Sequence, residues 1–181
     1  LGTSGGLLSI KQRPKPGFGH AERENPPVSA FDLVPRPQGA PLRDSLGEGP
    51  FWSEAEQALY WVDIAGRRAH RHAPSTGEGR SWLMPSPCSA VFPAARGGHI
   101  VALQDGLHRF DAATGATTPF VRPDTDPRNR SNETVCDPQG RIWLGTMFNN
   151  IGPNGEALPV SRVSGAYYCV ERDGDWRLML P

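Results

Sequence analysis

"LYWVDIAGRRAHRHAPSTG", Leu59–Gly77, carries the pattern that decides the fold. Its first residues are apolar, aromatic and β-branched, as a buried strand requires, while "RRAHRHAP" alternates like a second strand and meets a glycine turn. The scheme returns in "HIVALQDGLHRFDAATG", His99–Gly115, and in "IWLGTM", Ile142–Met147, followed by "SGAYYCVERDG", Ser164–Gly174. Each copy has an apolar strand, a polar or glycine connection, a strand with an aromatic or histidine, and a glycine turn. Gly77 and Gly115 lie near the ~40–45-residue spacing of a four-stranded propeller blade. Further short runs, "RSWLM" (Arg80–Met84), "TTPFV" (Thr117–Val121) and "WRLML" (Trp176–Leu180), read as strands between turns. The fold class is therefore all-β, a propeller in preference to a sandwich or barrel.

Composition agrees. The 181 residues include 21 glycines and 19 prolines, with few helix-forming runs. Nineteen basic and 19 acidic residues cancel, so no charge stripe favours nucleic acid or a membrane surface, and a small metabolite is the expected partner. No apolar run approaches the ~20 residues of a membrane helix, and no signal peptide is visible. Cys88, Cys136 and Cys169 form no C-x-x-C pair and read as buried free thiols of a reducing compartment, the cytoplasm.

Residues 1–41 are rich in proline, glycine and charge and read as a disordered tail, with "VSAFDLVP" (28–35) as one short strand within it. Residues 42–181 hold about three blades, whereas closed propellers need ~4–8. Beginning at leucine, the chain also reads as lacking its native start.

Two polar motifs accompany the blades. In "LGEGPFW", Leu46–Trp52, Gly47 and Gly49 flank Glu48 ahead of the first repeat strand, a tight backbone from which a carboxylate can point inward. "NRSNETVCDPQGRIWLGTM", Asn129–Met147, gathers Arg130, Asn132 and Glu133 before a turn and an apolar strand. The insertion "FNNIGPNGEALPVSRVS", Phe148–Ser164, has the length of loops that cover or line a site.

With "LYWVDI", "DGLHRFD" and "CDPQGRIWLGTM", these motifs resemble the senescence-marker-protein/gluconolactonase/luciferin-regenerating-enzyme (regucalcin-like) family from about Leu46 onward. The resemblance implies a six-bladed β-propeller with one divalent metal, calcium or zinc, hydrolysing a sugar lactone. By it, Glu48 is a metal ligand, Arg130 and Asn132 contact substrate, and Asn150, three positions after "GTM", faces the pocket. The family's "N-D-G" reads Asn132-Glu133-Thr134 here, and threonine lacks glycine's positive-φ freedom. The general-base aspartate and a further asparagine ligand are expected beyond Pro181. The chain is thus read as an N-terminal part, inactive alone, with a non-catalytic calcium-binding or interaction module, or an inactive truncated product, as the alternatives.

Other residues receive structural readings. Arg130 as a surface ion-pair partner of Asp124, Asp126 or Glu133 competes with its pocket role. His70 and His72 share one strand face, but the adjacent arginines place that strand outside and speak against a metal pair. The five tryptophans read as core, Asp137 and Arg141 as turn and packing residues, and the sequons at Asn129 and Asn132 as chance.

Overall fold

Among the described residues, glycine turns separate short strands that pair with their sequence neighbours, and the result is three antiparallel four-stranded sheets. The computed structural model describes residues 43–95 and 97–181. The expected tail, and the strand at 28–35, lie outside the described residues.

The first blade comprises β1 (Gly47–Ser53), β2 (Ala58–Asp63), β3 (Arg68–Ala73) and β4 (Glu78–Leu83). The second holds β5 (Cys88–Pro93), β6 (His99–Leu103), β7 (Gly106–Phe110) and β8 (Thr117–Val121). The third holds β9 (Asn129–Cys136), β10 (Ile142–Phe148), β11 (Tyr167–Val170) and β12 (Trp176–Leu180). Each blade is a meander, and the first strands β1, β5 and β9 meet side by side as the inner strands of a propeller. The repeats visible in the sequence are the middle strands of each blade. Gly77 and Gly115 occupy their turns with φ of 74° and 80°, where glycine avoids the Cβ clash.

Packing follows the strand alternation. Between the first two blades lie Tyr60, Val62, Trp82, Val91, Val101 and Phe110; between the second and third lie Phe92, Ile100, Leu107, Ile142, Leu144 and Val170. β5 supplies both clusters, Cys88 and Val91 to one and Ala90 and Phe92 to the other, so it is buried on both faces.

Several sequence expectations change. Of the tryptophans only Trp82 is buried; Trp52 and Trp176 are each 44 % exposed. Trp52 follows Phe51 on β1 and so takes the face turned away from the second blade, while Trp176 stands edge-on to Tyr168 on the outermost strand. Cys88 and Cys169 are buried, but Cys136 is exposed at the end of β9. β3 is the third strand of its sheet, and His70 is buried rather than exposed. Its ring stacks on Trp61 at 4.9 Å and its Nδ1 meets Ser81 Oγ at 2.7 Å.

Asp137 is a turn residue, as read. It accepts from the backbone N–H groups of Gln139 and Arg141, from Arg141 Nε at 2.7 Å and from Trp143 Nε1 at 3.1 Å. Desolvation pushes its pKa up, and the hydrogen bonds from Trp143 and Arg141 outweigh that, bringing it down to about 2. A carboxylate held below its unfolded pKa of ~3.9 contributes stability above that value and loses it as pH falls through its folded pKa. Asp137→Asn should therefore flatten the fall in urea midpoint between about pH 4 and pH 2; an unchanged slope would remove Asp137 from the acid transition. For the core, Leu144→Ala should cost about 2–5 kcal/mol in urea unfolding. Leu180→Ala, at a position 62 % exposed, should stay within about 0.5 kcal/mol.

Candidate functional site

The polar motifs sit on the inner strands themselves. "GEGPFWS" is β1 and "NRSNETVC" is β9, where a motif ahead of the first strand and a polar stretch ahead of a turn were expected. Each inner strand breaks its ladder register once: between Glu48 and Phe51 in β1, between Cys88 and Ala90 in β5, and between Ser131 and Thr134 in β9, opposite Gly145. Such irregularities re-aim side chains. Here they bring Glu48–Gly49, Ser89 and Asn132–Glu133 together around a hollow of about 200 Å³, completed by Leu46, Ile64 and Arg130.

Each approach has a local cause. Gly49 has φ of 60°, and a Cβ there would stand 2.9 Å from the Ser89 carbonyl oxygen, so glycine is required twice over. The chain ahead of Glu48 is tied down by Asp63, whose carboxylate accepts from the backbone N–H groups of Ser45, Leu46 and Gly66 at 2.9–3.0 Å. Desolvation raises the Asp63 pKa, but those three donors outweigh it and hold the group below the usual carboxylate range. On the other side, Ser89 Oγ donates to Ser131 Oγ at 3.0 Å, and Ser131 Oγ donates to the Leu103 carbonyl at 2.6 Å. Thr134 continues β9 with its hydroxyl 3.4 Å from Ser89, so no positive φ is needed where the family pattern has glycine.

Arg130 is buried, 4 % exposed, and burial lowers its pKa. No carboxylate among the described residues pairs with it, and Asp126 pairs with Arg128 at 2.8 Å, so the surface ion-pair reading fails. Its guanidinium is held by neutral groups. Nη1 donates to the Ser131 carbonyl and Asn132 Oδ1, both at 2.9 Å. Nε and Nη2 donate to Asn150 Oδ1 at 3.2 and 2.9 Å, and Nη2 also to Met147 Sδ at 3.1 Å. The structure thus brings Arg130, Asn132 and Asn150 into contact, with Glu48 lining the same hollow as Arg130 and Asn132, although Glu48 itself is exposed.

Asn150 arrives from the long β10–β11 connection, and that loop spans from the third blade to the first. Ile151 is buried in the cluster between the first two blades. Gly155, with φ of 84°, packs so closely that a Cβ would lie 2.7 Å from the Ala65 carbonyl oxygen. Asn149 braces the turn through reciprocal bonds of 3.1 Å with Ile151. Sequence reasoning missed Asp63, Ser89, Ser131 and Met147. Only Asp63 left a trace, an Asp followed three residues later by Gly66 in a turn-forming pattern.

Glu48 offers one hard oxygen donor of the kind a divalent ion prefers. Among the described residues no group of three or more His, Cys, Asp or Glu could hold a metal ion. Nor is any helix among them long and apolar enough to cross a membrane.

Gly49→Ala should strain the β1 bulge against Ser89 and lower stability by more than the roughly 1 kcal/mol typical of glycine substitutions, whereas Gly77→Ala, with nothing within 4 Å of the added Cβ, should cost less. Equal denaturation midpoints for the two variants would contradict the close inner-strand packing.

Residues 46–180 match the model of the SMP-30/Gluconolactonase/LRE-like region. The chain is 36 % identical over 114 residues to the 6-deoxy-6-sulfogluconolactonase of Pseudomonas putida, covering 62 % of this chain and 39 % of that protein. It is 35 % identical over 109 residues to the regucalcin of Xenopus laevis, covering 60 % and 36 %. The crystal structure of a calcium-binding protein, regucalcin, from Agrobacterium tumefaciens superposes with a TM-score of 0.63 at 28 % identity, covering 76 % of this chain and 43 % of the other. The chain thus spans less than half the length of these relatives. With the family pattern running through all three blades, the chain belongs to the SMP-30/gluconolactonase/LRE-like family.

Proposed function

We propose that the chain forms the substrate-holding side of a sugar-lactone hydrolase. One observation carries the reading: the inner-strand bulges bring Glu48, near the start of the first blade, to the same hollow as Arg130 and Asn132 of the third. The similarity to a protein named 6-deoxy-6-sulfogluconolactonase supports the choice of substrate class.

The reaction adds water to the ring carbonyl, breaks the ring C–O bond and leaves a hydroxy acid, the ring oxygen taking a proton. The residues suit the binding part of that task. Asn132 and Asn150 offer amide groups to hydroxyl and carbonyl oxygens, and the buried Arg130 beside them places positive charge where the carbonyl oxygen gains negative charge. Glu48 is, in this reading, one ligand of a divalent cation, calcium or zinc. In this reading the remaining ligands and the carboxylate base come from outside the described residues. Alone, the 181-residue chain is a binding unit.

The test is calorimetric titration of the 181-residue chain with D-gluconate, beside pH-stat hydrolysis of D-glucono-1,5-lactone with and without chelator. The expected result is saturable gluconate binding, abolished by Asn132→Leu, with no acceleration of hydrolysis. Absence of binding would defeat the reading. Chelator-sensitive turnover by the chain alone would show that the described residues hold the ion after all.

A further inference from the structure

Tyr60 is wholly buried in the contact between the first two blades, and its hydroxyl stands in the middle of a chain of polar groups. The phenol O–H donates to Glu56 Oε2 in the β1–β2 turn at 2.5 Å, and that carboxylate oxygen also accepts from Arg71 Nε at 3.3 Å. From the second blade, His99 Nε2 lies 3.0 Å from the same hydroxyl oxygen, with the two rings 5.4 Å apart. A hydroxyl has one proton to give. Tyr60 directs it to Glu56, so the bond with His99 runs the other way, from Nε2–H to the phenol oxygen. The neutral imidazole then carries its lone pair on Nδ1, which is buried with no hydrogen-bond partner among the described residues.

That arrangement suits one protonation state. A second proton would create a buried charge and an N–H with nothing to receive it. The groups facing the ring are Tyr60 and Glu56 from the first two strands and their turn, Arg71 from β3, Phe110 at the end of β7, and Asp111 just after it. Burial is the largest influence and holds the His99 pKa below its ordinary value; Glu56 and Asp111 favour the cation, and Arg71 opposes it.

We propose that His99 is an acid-operated latch between the first two blades: its neutral ring bonds Tyr60 across the interface, and its protonation favours the state in which the blades part. In the parted state the ring is hydrated and titrates near the unperturbed histidine pKa of ~6.5. The closed state takes the proton only at lower pH. Its stability is therefore fully present above about pH 6.5 and is lost as pH falls from there toward the closed-state pKa. Across that window the parted population rises by up to about tenfold per pH unit.

The latch reaches the candidate site. Ile151 packs in the same cluster as Tyr60 and adjoins Asn150, which accepts from Arg130. Parting the blades thus loosens the loop that completes the surroundings of Arg130. None of this rests on the identity of the ligand. His70 supplies a comparison, since it pairs with Trp61 and lies on the face of the first blade opposite Tyr60.

Cys88 gives a direct readout, being a buried thiol in the contact between the same two blades. The 181-residue chain is labelled with 2,2′-dithiodipyridine, and modification of each cysteine is read by mass spectrometry. The exposed Cys136 corrects for the effect of pH on the chemistry, and Cys169, buried in the third blade, reports wider unfolding. From about pH 7.5 to about pH 5.5 the Cys88-to-Cys136 ratio should rise severalfold, toward the roughly tenfold limit set by one proton, while the Cys169 ratio stays level. His99→Gln keeps an N–H for Tyr60 but takes no proton, so it should abolish the rise, and His70→Gln should retain it.

A flat Cys88 ratio in the wild-type chain would overturn the proposal, as would an equal rise at Cys169 or an undiminished rise in His99→Gln. NMR of the wild-type histidine rings keeps the test open should the glutamine variant not fold. A His99 ring that titrates near its ordinary pKa of ~6.5 while Cys88 remains protected would also overturn the latch.

Discussion

The close approach of three inner strands is the constraint on which the rest of the structure depends. β5 is buried on both faces and touches β1 on one side and β9 on the other, so its position sets the spacing of all three blades. The contact is tightest at Ser89, whose carbonyl oxygen abuts Gly49 and whose hydroxyl bonds Ser131. A side chain at Gly49 would push β1 away, and loss of the hydroxyl pair would leave buried polar groups unsatisfied between β5 and β9. Hydrophobic burial between the blades supplies the driving force. The alignment of the three bulges decides where the blades stop approaching one another.

That arrangement also shows which parts of the fold were legible in the sequence. The middle strands announced themselves through apolar residues that pack between blades, on both faces in "HIVAL" and through Tyr60 and Val62 in "LYWVDI". β1 and β9 did not. β1 has two glycines and a proline, β9 is mostly polar, and both compositions ordinarily mean loop. They are strands because their backbone groups pair with β2 and β10, while their side chains meet the polar hollow as well as the core. Local propensity was overruled by position, as it often is beside a site. His70 misled for a related reason. Arg68 and Arg71 flank it, yet Trp61 and Ser81 close over the histidine from the two neighbouring strands.

The candidate site was legible in part. Glu48, Arg130, Asn132 and Asn150 were singled out through their motifs; the structure places the first three at one hollow and Asn150 against the guanidinium of Arg130. What the sequence could not show is how Arg130 is satisfied. Met147 and the Ser131 carbonyl carry no motif, and a thioether or main-chain oxygen is visible as a partner only once the strands are in place. Ser89 was equally hidden, one serine in an apolar run, because its significance lies in a contact with residues 42 to 45 positions further along the chain.

A buried arginine without a carboxylate partner among the described residues is costly, and five hydrogen bonds to four neutral acceptors only partly repay the lost hydration. Its persistence depends on a loop that is itself anchored elsewhere. Asn150 is held between Asn149, bonded to the Arg128 carbonyl, and Ile151, buried among side chains of the first two blades. Loosening the first blade would therefore release Ile151, free Asn150 and leave three of the contacts to Arg130 standing. The same chain of contacts runs in the other direction. A ligand that bonds the amides of Asn132 and Asn150 favours the state in which both are fixed, and so stabilises the contact between the β10–β11 loop and the first blade. The Arg130 cluster is thus a tie between the first and third blades, and its polar groups help hold the blades in register.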